Sequence, residues 1–300
     1  MSLWIPVTLA AALFQTVRFM LQKSLSTVKL SAAGATFARF AYSAPLIALA
    51  LFLYLGATGR SLPPLSPGFW AFVVIGGTAQ ILATICVVAL FKERNFAVGI
   101  TFKKTEVIQT ALVGFVILGE GVSAGALGAI LIGLVAVLLL SHVPGGQGSW
   151  WRHLTNRASG LGLASGVLFA FSAVSYRGAS LALGEAEAVF RAAVTLTSVT
   201  TFQMIAMGLW LLWRDREELR AVWATRSTGV FVGLTSMGGS FCWFWAFTLQ
   251  NAAYVKALGQ VELIFSLLAS TLFFRETVTR RELAGIALLG LSILTLVLAI

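Results

Sequence analysis

Two glutamates, Glu106 and Glu262, stand within otherwise apolar runs of the sequence and have the most chemically informative positions in the chain. A carboxylate near the middle of a membrane helix is costly, so it faces a cavity, pairs with a cation or keeps its proton. Each of these states suits a residue that handles a substrate or a proton. A structural carboxylate, hydrogen-bonded across a helix interface, is the alternative.

Lysines lie close to the first glutamate along the chain. At helical spacing Lys103 shares a face with Glu106, whereas Lys104 points about 100° away and needs a different partner. Near the second glutamate, Lys256 and Gln260 form an adjacent face. A cavity lined by both segments would present both signs of charge, which favours a zwitterion or a small anion over a neutral hydrophobic compound.

The alternative is pairing within each helix, with Lys256 extended towards the membrane surface. The face of Glu262 itself carries glycine and serine. Glu262 is therefore the glutamate that we expect to titrate if only one does.

Further polar and aromatic side chains in apolar runs are candidates for the same pathway: Gln15, Tyr176, Arg39, Arg191 and Trp243. The two arginines lie inside their helices, where they would hold a carboxylate bidentately or donate to carbonyls at helix ends. Trp243 shares a helix face with Phe247, as an apolar wall for substrate or as bundle packing.

Composition sets the fold class. The 300 residues are 58% hydrophobic and 11% charged, and the mean hydropathy is +0.91, which indicates an all-α, polytopic membrane protein. Runs of about 20 apolar residues predict ten transmembrane helices. They cover residues 4–22, 31–55, 68–91, 96–118, 121–141, 158–182, 187–213, 227–249, 252–274 and 280–299.

The net charge of +10 comes from basic residues dispersed among the ends of these runs, so we expect lipid bilayer and no nucleic acid as the partner. The two cysteines lie in apolar runs and the two histidines between the fifth and sixth runs. Neither pattern predicts a metal site. No nucleotide-binding or catalytic motif is present, and we expect a protein that is not an enzyme and has no cofactor.

The chain repeats itself. An offset of 156 residues superposes Gly77 on Gly233, Cys86 on Cys242, Asn95 on Asn251 and Glu106 on Glu262 without a gap. The predicted organisation is a first five-helix repeat at 1–141, a linker at 142–157 and a second repeat at 158–300. Since five crossings end on the opposite side of the membrane, the repeats are inverted relative to each other, which favours alternating access.

Several of these residues resemble a known family. Phe37-Ala38-Arg39-Phe40 with its echo at Arg191, the glutamates within the fourth and ninth runs, and Gly119-Glu120 with Arg275-Glu276 are similar to EamA-type transporters of the drug/metabolite transporter superfamily. The resemblance covers nearly the whole chain as two units. Family members often carry proline after the glutamate, where this chain has Val107 and Leu263, so the usual cause of a kink is missing.

The expected function is secondary active transport of a small polar or zwitterionic metabolite such as an amino acid, in the outward direction, with proton coupling through Glu106 or Glu262. The alternatives are obligate exchange of an anionic, phosphorylated or nucleotide-sugar-like metabolite, efflux of drugs or quaternary amines, and a structural or lipid-handling role. We expect a monomer or homodimer in a bacterial inner or plasma membrane. The loop charges place both termini outside, whereas ten-helix relatives keep both in the cytoplasm.

Overall fold

The computed structural model describes residues 2–28, 30–90, 102–140, 157–265, 267–268 and 279–300, and regular structure in these residues is helical. The helices are α1 Trp4–Val28, α2 Ala32–Thr58, α3 Pro67–Leu90, α4 Glu106–Leu118, α5 Ala124–Leu140, α6 Arg157–Leu181, α7 Ala188–Arg214, α8 Arg216–Ala224, α9 Arg226–Leu249, α10 Ala252–Gly259 and α11 Arg280–Leu298.

The expectation of an all-α, multi-pass membrane protein is confirmed. Within the described residues, six segments are long and apolar enough to cross a membrane: Ala33–Thr58, Pro67–Leu90, Arg157–Leu181, Ala188–Arg214, Gly229–Leu249 and Arg280–Leu298. The apolar helices α4 and α5 are shorter. The count of ten spans and the inverted repeat stay predictions. The predicted linker lies outside the described residues, except for Arg157. The start of the fourth predicted span and the end of the ninth also lie outside them.

Large apolar side chains are exposed along the helices. Phe52 in α2 is 69% exposed and Val116 in α4 is 79% exposed. Such surfaces are unfavourable in water and suit contact with lipid, where the helix satisfies its own backbone hydrogen bonds.

The chain forms two compact units. The first, which we call unit 1, comprises Met1–Ile81 and Ser175–Gln250, and the second, unit 2, comprises Leu82–Val174 and Asn251–Ile300. Each unit therefore draws helices from both of the predicted repeats. The two predicted sequence repeats therefore do not correspond to the two units, and the repeats remain a prediction.

In unit 1, α2 and α9 approach each other closely because α9 carries glycine at the contact. A Cβ atom on Gly233 would lie 2.5 Å from Cβ of Tyr42 and 3.0 Å from its backbone carbonyl carbon. The Tyr42 hydroxyl donates a hydrogen bond to the carbonyl oxygen of Val222 in α8 (2.9 Å). Glycine at this position thus sets how near the two helices lie.

The start of α2 is fixed by two caps. The Ser31 hydroxyl accepts a hydrogen bond from the amide of Gly34 (3.0 Å), and a carboxylate oxygen of Glu218 in α8 accepts one from the amide of Ser31 (2.7 Å). Both satisfy amide groups that a helix start leaves without partners. They hold in place the segment of α2 that carries Arg39.

In unit 2, α5 packs against α11 through small residues. A Cβ atom on Gly133 would lie 2.7 Å from the Ser292 hydroxyl oxygen, and that hydroxyl donates to the carbonyl oxygen of Ala129 (2.7 Å). Small residues at this contact therefore let the two helices approach each other closely. The segment α10 packs against α4, α5 and α11, which brings the two glutamate-bearing segments into one unit.

We expect Gly233→Ala to lower the stability of the protein by about 1–3 kcal/mol, because the methyl group overpacks the contact with Tyr42. Gly290→Ala in α11 is the matched control, since a Cβ atom there meets nothing within 4 Å. The control should be neutral or slightly stabilising because alanine is the better helix former. Thermal unfolding in one detergent measures both, and equal melting temperatures for the two variants would contradict this view of the α2–α9 contact.

Candidate functional site

Both glutamates follow a tightened turn in the helix. The turn residues are Lys104 and Thr105 before Glu106, and Gln260 and Val261 before Glu262. The amide of Thr105 donates to the carbonyl of the residue three positions earlier (3.2 Å), and the amides of Gln260 and Val261 do the same (3.2 and 3.1 Å). The two turns are related by the same 156-residue offset as the glutamates.

The first turn, which contains no proline, has an additional side-chain hydrogen bond. The Thr105 hydroxyl donates a hydrogen bond to the carbonyl oxygen of Phe102 (2.7 Å), three residues back. Such back-bonding by threonine bends helices, and short stretches with three-residue spacing often mark hinges. The sequence predicted one continuous helix through Glu106. In the structure the helix instead has a tightened turn immediately before this residue.

This turn changes the environment of Glu106. Instead of lying in the middle of a regular helix, it is the first residue of α4. The start of a helix carries a partial positive charge, which favours a carboxylate. Glu262 likewise begins a helical stretch, at residues 262–265.

Three lysines contact the two glutamates. Nζ of Lys256 lies 3.7 Å from one carboxylate oxygen of Glu106, and Nζ of Lys103 lies 3.9 Å from the other. The ammonium of Lys104 forms a salt bridge with the Glu262 carboxylate. We call these five side chains the charge cluster, and all of them belong to unit 2.

An aromatic ring covers part of the charge cluster. The Phe169 ring centroid lies 5.2 Å from Nζ of Lys103 and 5.5 Å from Nζ of Lys256, which is the range for cation–π attraction. Its helix, α6, comes close because Gly166 has no side chain: a Cβ atom there would lie 3.2 Å from the carbonyl oxygen of Lys103. The ring and the carboxylate of Glu106 thus hold the same two ammonium groups.

The charge cluster is buried and carries unequal charge. Lys103, Lys104, Glu106 and Glu262 are each at most 9% exposed. The fifth member, Lys256, is only partly buried, with its side chain 15% exposed. The charge cluster as a whole thus has one more lysine than glutamate.

A small cavity of about 10 Å³ adjoins the charge cluster, and Lys104, Gln260 and Ser292 provide its polar lining. Lys104 and Gln260 are equivalent positions of the two predicted repeats. Oε1 of Gln260 is buried and has no hydrogen-bond partner among the described residues. The volume suits about one water molecule, so this space alone is too small for a metabolite.

The sequence predicted part of this cluster correctly. Lys103 pairs with Glu106 at helical spacing, as expected, and Lys104 has a different partner. Two contacts were not predicted. Lys104 contacts Glu262, and Lys256 contacts Glu106, which disfavours the alternative in which Lys256 extends towards the membrane surface.

The remaining predicted residues lie in unit 1 and form separate contacts. Gln15 accepts a hydrogen bond from the Trp243 indole (3.0 Å), and the Trp243 ring stacks on Phe247 at 5.8 Å, which confirms their shared face. Arg191 donates to the carbonyl oxygen of Gly184 (3.1 Å), the structural role that was its alternative. Arg39 donates to the Ser240 hydroxyl (3.1 Å).

Tyr176 belongs to a polar network that sequence reasoning missed. Its hydroxyl donates to Oε1 of Gln80 (3.0 Å) or to the carbonyl of Gly76 (3.1 Å), and Nε2 of Gln203 also donates to Gln80 (2.8 Å). The Tyr176 ring stacks on Phe244 at 4.3 Å. Two glutamines inside apolar runs were a visible signal for this network, whereas nothing in the sequence singled out Phe169.

The helices and the buried charge cluster define a multi-pass helical membrane protein with a polar site inside one unit. Residues 157–298 match the model of the EamA-like transporter family. The chain thus carries an EamA-like transporter domain, and the resemblance inferred from the sequence is confirmed over these residues.

The fold also has a counterpart among solved structures. A crystal structure described only as that of a protein has a TM-score of 0.71 to this chain at 15% sequence identity, and the match covers 99% of this chain and 96% of that one. At this identity the likeness shows the fold alone. The comparison with curated proteins found no match.

We expect Lys104→Met to lower the free energy of unfolding by about 3–5 kcal/mol, because it removes the ammonium from the buried Glu262 carboxylate. The double variant Lys104→Met with Glu262→Gln should recover part of this loss. Arg220→Met is the control, since its ion pair with Glu217 is exposed and should matter little. Thermal unfolding of the four proteins tests the pairing, and a double variant less stable than Lys104→Met would argue against it.

Proposed function

We propose that the protein is a secondary active transporter that exports a small zwitterionic metabolite, such as an amino acid, by alternating access with proton coupling. The observation that carries this proposal is the charge cluster, which places carboxylates and ammonium groups within 4 Å of each other in a buried part of a membrane protein. The transporter domain at residues 157–298 supports the class of function.

The charge cluster favours a substrate with both signs of charge. An incoming carboxylate can replace a glutamate at one lysine, and an incoming amine can replace a lysine at a glutamate. Each exchange keeps every buried charge paired, which is what a low-dielectric site requires. A quaternary amine or a neutral drug lacks the group that would compensate the lysines, so drug efflux is the weaker candidate.

The two turns supply a physical basis for alternating access. Each turn directly precedes one of the glutamates, and the two are equivalent points of the predicted inverted repeats. A stretch with three-residue hydrogen-bond spacing changes conformation at lower cost than a regular helix. Small rearrangements at the turns would therefore alter which lysine each carboxylate contacts.

The same ion pairs favour proton coupling. A glutamate that contacts a lysine can receive a proton once that contact opens, and protonation then removes the attraction that would close it again. Substrate binding and proton binding would then both require the same glutamate–lysine contact to open. Glu106 contacts two lysines and Glu262 contacts Lys104, so both glutamates are candidates for this role.

Obligate exchange of an anionic metabolite is the second candidate. The excess lysine favours it, because a doubly charged phosphate would compensate more of the positive charge than a carboxylate does. Exchange requires substrate on both sides of the membrane, whereas proton-driven transport does not. The two mechanisms therefore separate cleanly in an assay with defined compartments.

We expect Glu106→Gln and Glu262→Gln to abolish amino-acid uptake driven by a pH gradient in proteoliposomes, because neither amide can carry the proton. Glu187→Gln is the matched control, since Glu187 is exposed and pairs with Arg60. Its uptake should equal that of the unmodified protein. Uptake that persists in both charge-cluster variants would rule out proton coupling through these residues.

A counterflow assay, in which liposomes are preloaded with substrate, distinguishes obligate exchange from proton-driven transport. If the protein is an anion exchanger, phosphorylated substrates should enter only liposomes preloaded with substrate, and Lys104→Met or Lys256→Met should remove this uptake. If no amino acid or phosphorylated compound enters under either condition while the protein remains folded, transport of these classes is wrong and a structural or lipid-handling role gains support.

A further inference from the structure

Arg39 is a buried cation inside unit 1. It lies roughly 10 Å from the start of α2, at a rise of 1.5 Å per residue, and is 6% exposed. Among the described residues, its guanidinium donates one hydrogen bond, from Nη2 to the Ser240 hydroxyl in α9, and lies 5.2 Å from the ring centroid of Phe40. A guanidinium has five N–H donors, so most of its capacity is not used by these contacts.

Unit 1 provides no carboxylate for this cation. Residues 1–81 contain no aspartate or glutamate. The acidic residues in its second segment all lie between α6 and α7 or near the α7–α8 junction: Glu185, Glu187, Asp215, Glu217 and Glu218. Of these, Glu187 pairs with Arg60, Glu217 pairs with Arg220, and Glu218 caps α2.

Arg177 of the same unit has a structural solution that Arg39 lacks. It donates to the carbonyl oxygens of Phe247 (2.7 Å) and Gln250 (2.8 Å) at the end of α9. Carbonyls at helix ends have no partner within the helix, so they are natural acceptors. Arg39 lies away from such an end.

A second observation points to the same place. Ser236 lies one turn before Ser240 in α9, so both hydroxyls project from one face of that helix. Ser236 is 2% exposed, and its hydroxyl oxygen has no hydrogen-bond partner among the described residues. A buried hydroxyl without a partner is costly, as is a buried charge, and one ligand would satisfy both.

We propose that Arg39, Ser240 and Ser236 form a binding site for the carboxylate of a small anion. The guanidinium matches a carboxylate in shape and offers it two parallel hydrogen bonds, and each serine adds a donor. The single positive charge suits a monoanion better than a doubly charged phosphate. This site belongs to unit 1, is distinct from the charge cluster in unit 2, and requires only binding, so it goes beyond the proposed transport function.

The experiment is thermal unfolding of the purified full-length protein with propionate, inorganic phosphate or ethylamine as probes. A ligand of the folded state raises the melting temperature in a concentration-dependent way. Propionate should raise it and ethylamine should not. Arg39→Met should abolish the propionate response and should leave the melting temperature without ligand unchanged or higher, because an uncompensated buried charge is removed.

Serine variants keep the proposal testable if Arg39→Met fails to fold. Ser236→Ala and Ser240→Ala retain the charge and should each weaken propionate binding by roughly ten-fold, as expected for loss of one hydrogen bond to a charged group. Thr235→Ala is the matched control, since the hydroxyl of this half-buried neighbour donates to the carbonyl oxygen of Phe231 in its own helix (2.8 Å). The control should bind propionate as the unmodified protein does.

Defined outcomes overturn the proposal. A propionate response that survives Arg39→Met but is lost in Lys256→Met would assign the anion to the charge cluster. A larger response to phosphate that depends on Arg39 would make the ligand a phosphate. A rise with phosphatidylglycerol but not with propionate would place a lipid headgroup in the site.

Discussion

Compensation of buried charge is the constraint on which the arrangement of unit 2 depends. Two carboxylates inside apolar helices are tolerable because lysines contact both of them. The salt bridge between Lys104 and Glu262 joins residues 158 positions apart in the chain. A pair of this kind requires that the segments around α4 and α10 lie side by side, as they do in unit 2.

The sequence predicts contacts between residues that are close in the chain better than contacts between distant residues. Lys103 and Glu106 lie three residues apart, so helical geometry alone predicts their contact. The same geometry shows that Lys104 cannot share that face, but it cannot say which distant residue compensates it. Glu262 therefore looked isolated, although it has a lysine partner. Local spacing predicts contacts within a helix, and only packing of the whole unit fixes those between helices.

Backbone conformation set a second limit. The lack of proline after either glutamate suggested regular helices, since proline is the common cause of a kink. The structure nevertheless has a tightened turn before Glu106, where the Thr105 hydroxyl donates a hydrogen bond to a carbonyl of its own chain segment. That hydrogen bond depends on the rotamer of one side chain, which the sequence does not specify. The all-α membrane class, by contrast, followed from composition because apolar helices spread the signal over many residues.

Arg39 and Arg191 show why equivalent positions of a repeat need not share a role. Their sequence surroundings are similar, and the same two alternatives applied to both. In the structure Arg191 donates to the carbonyl oxygen of Gly184 in the turn that follows α6, whereas Arg39 contacts a serine and an aromatic ring. If the two predicted repeats share an origin, each inherits a cation at this point, but its partners come from the surrounding loops and helices. The contacts of the two arginines therefore depend on packing around each one and not on their shared sequence pattern.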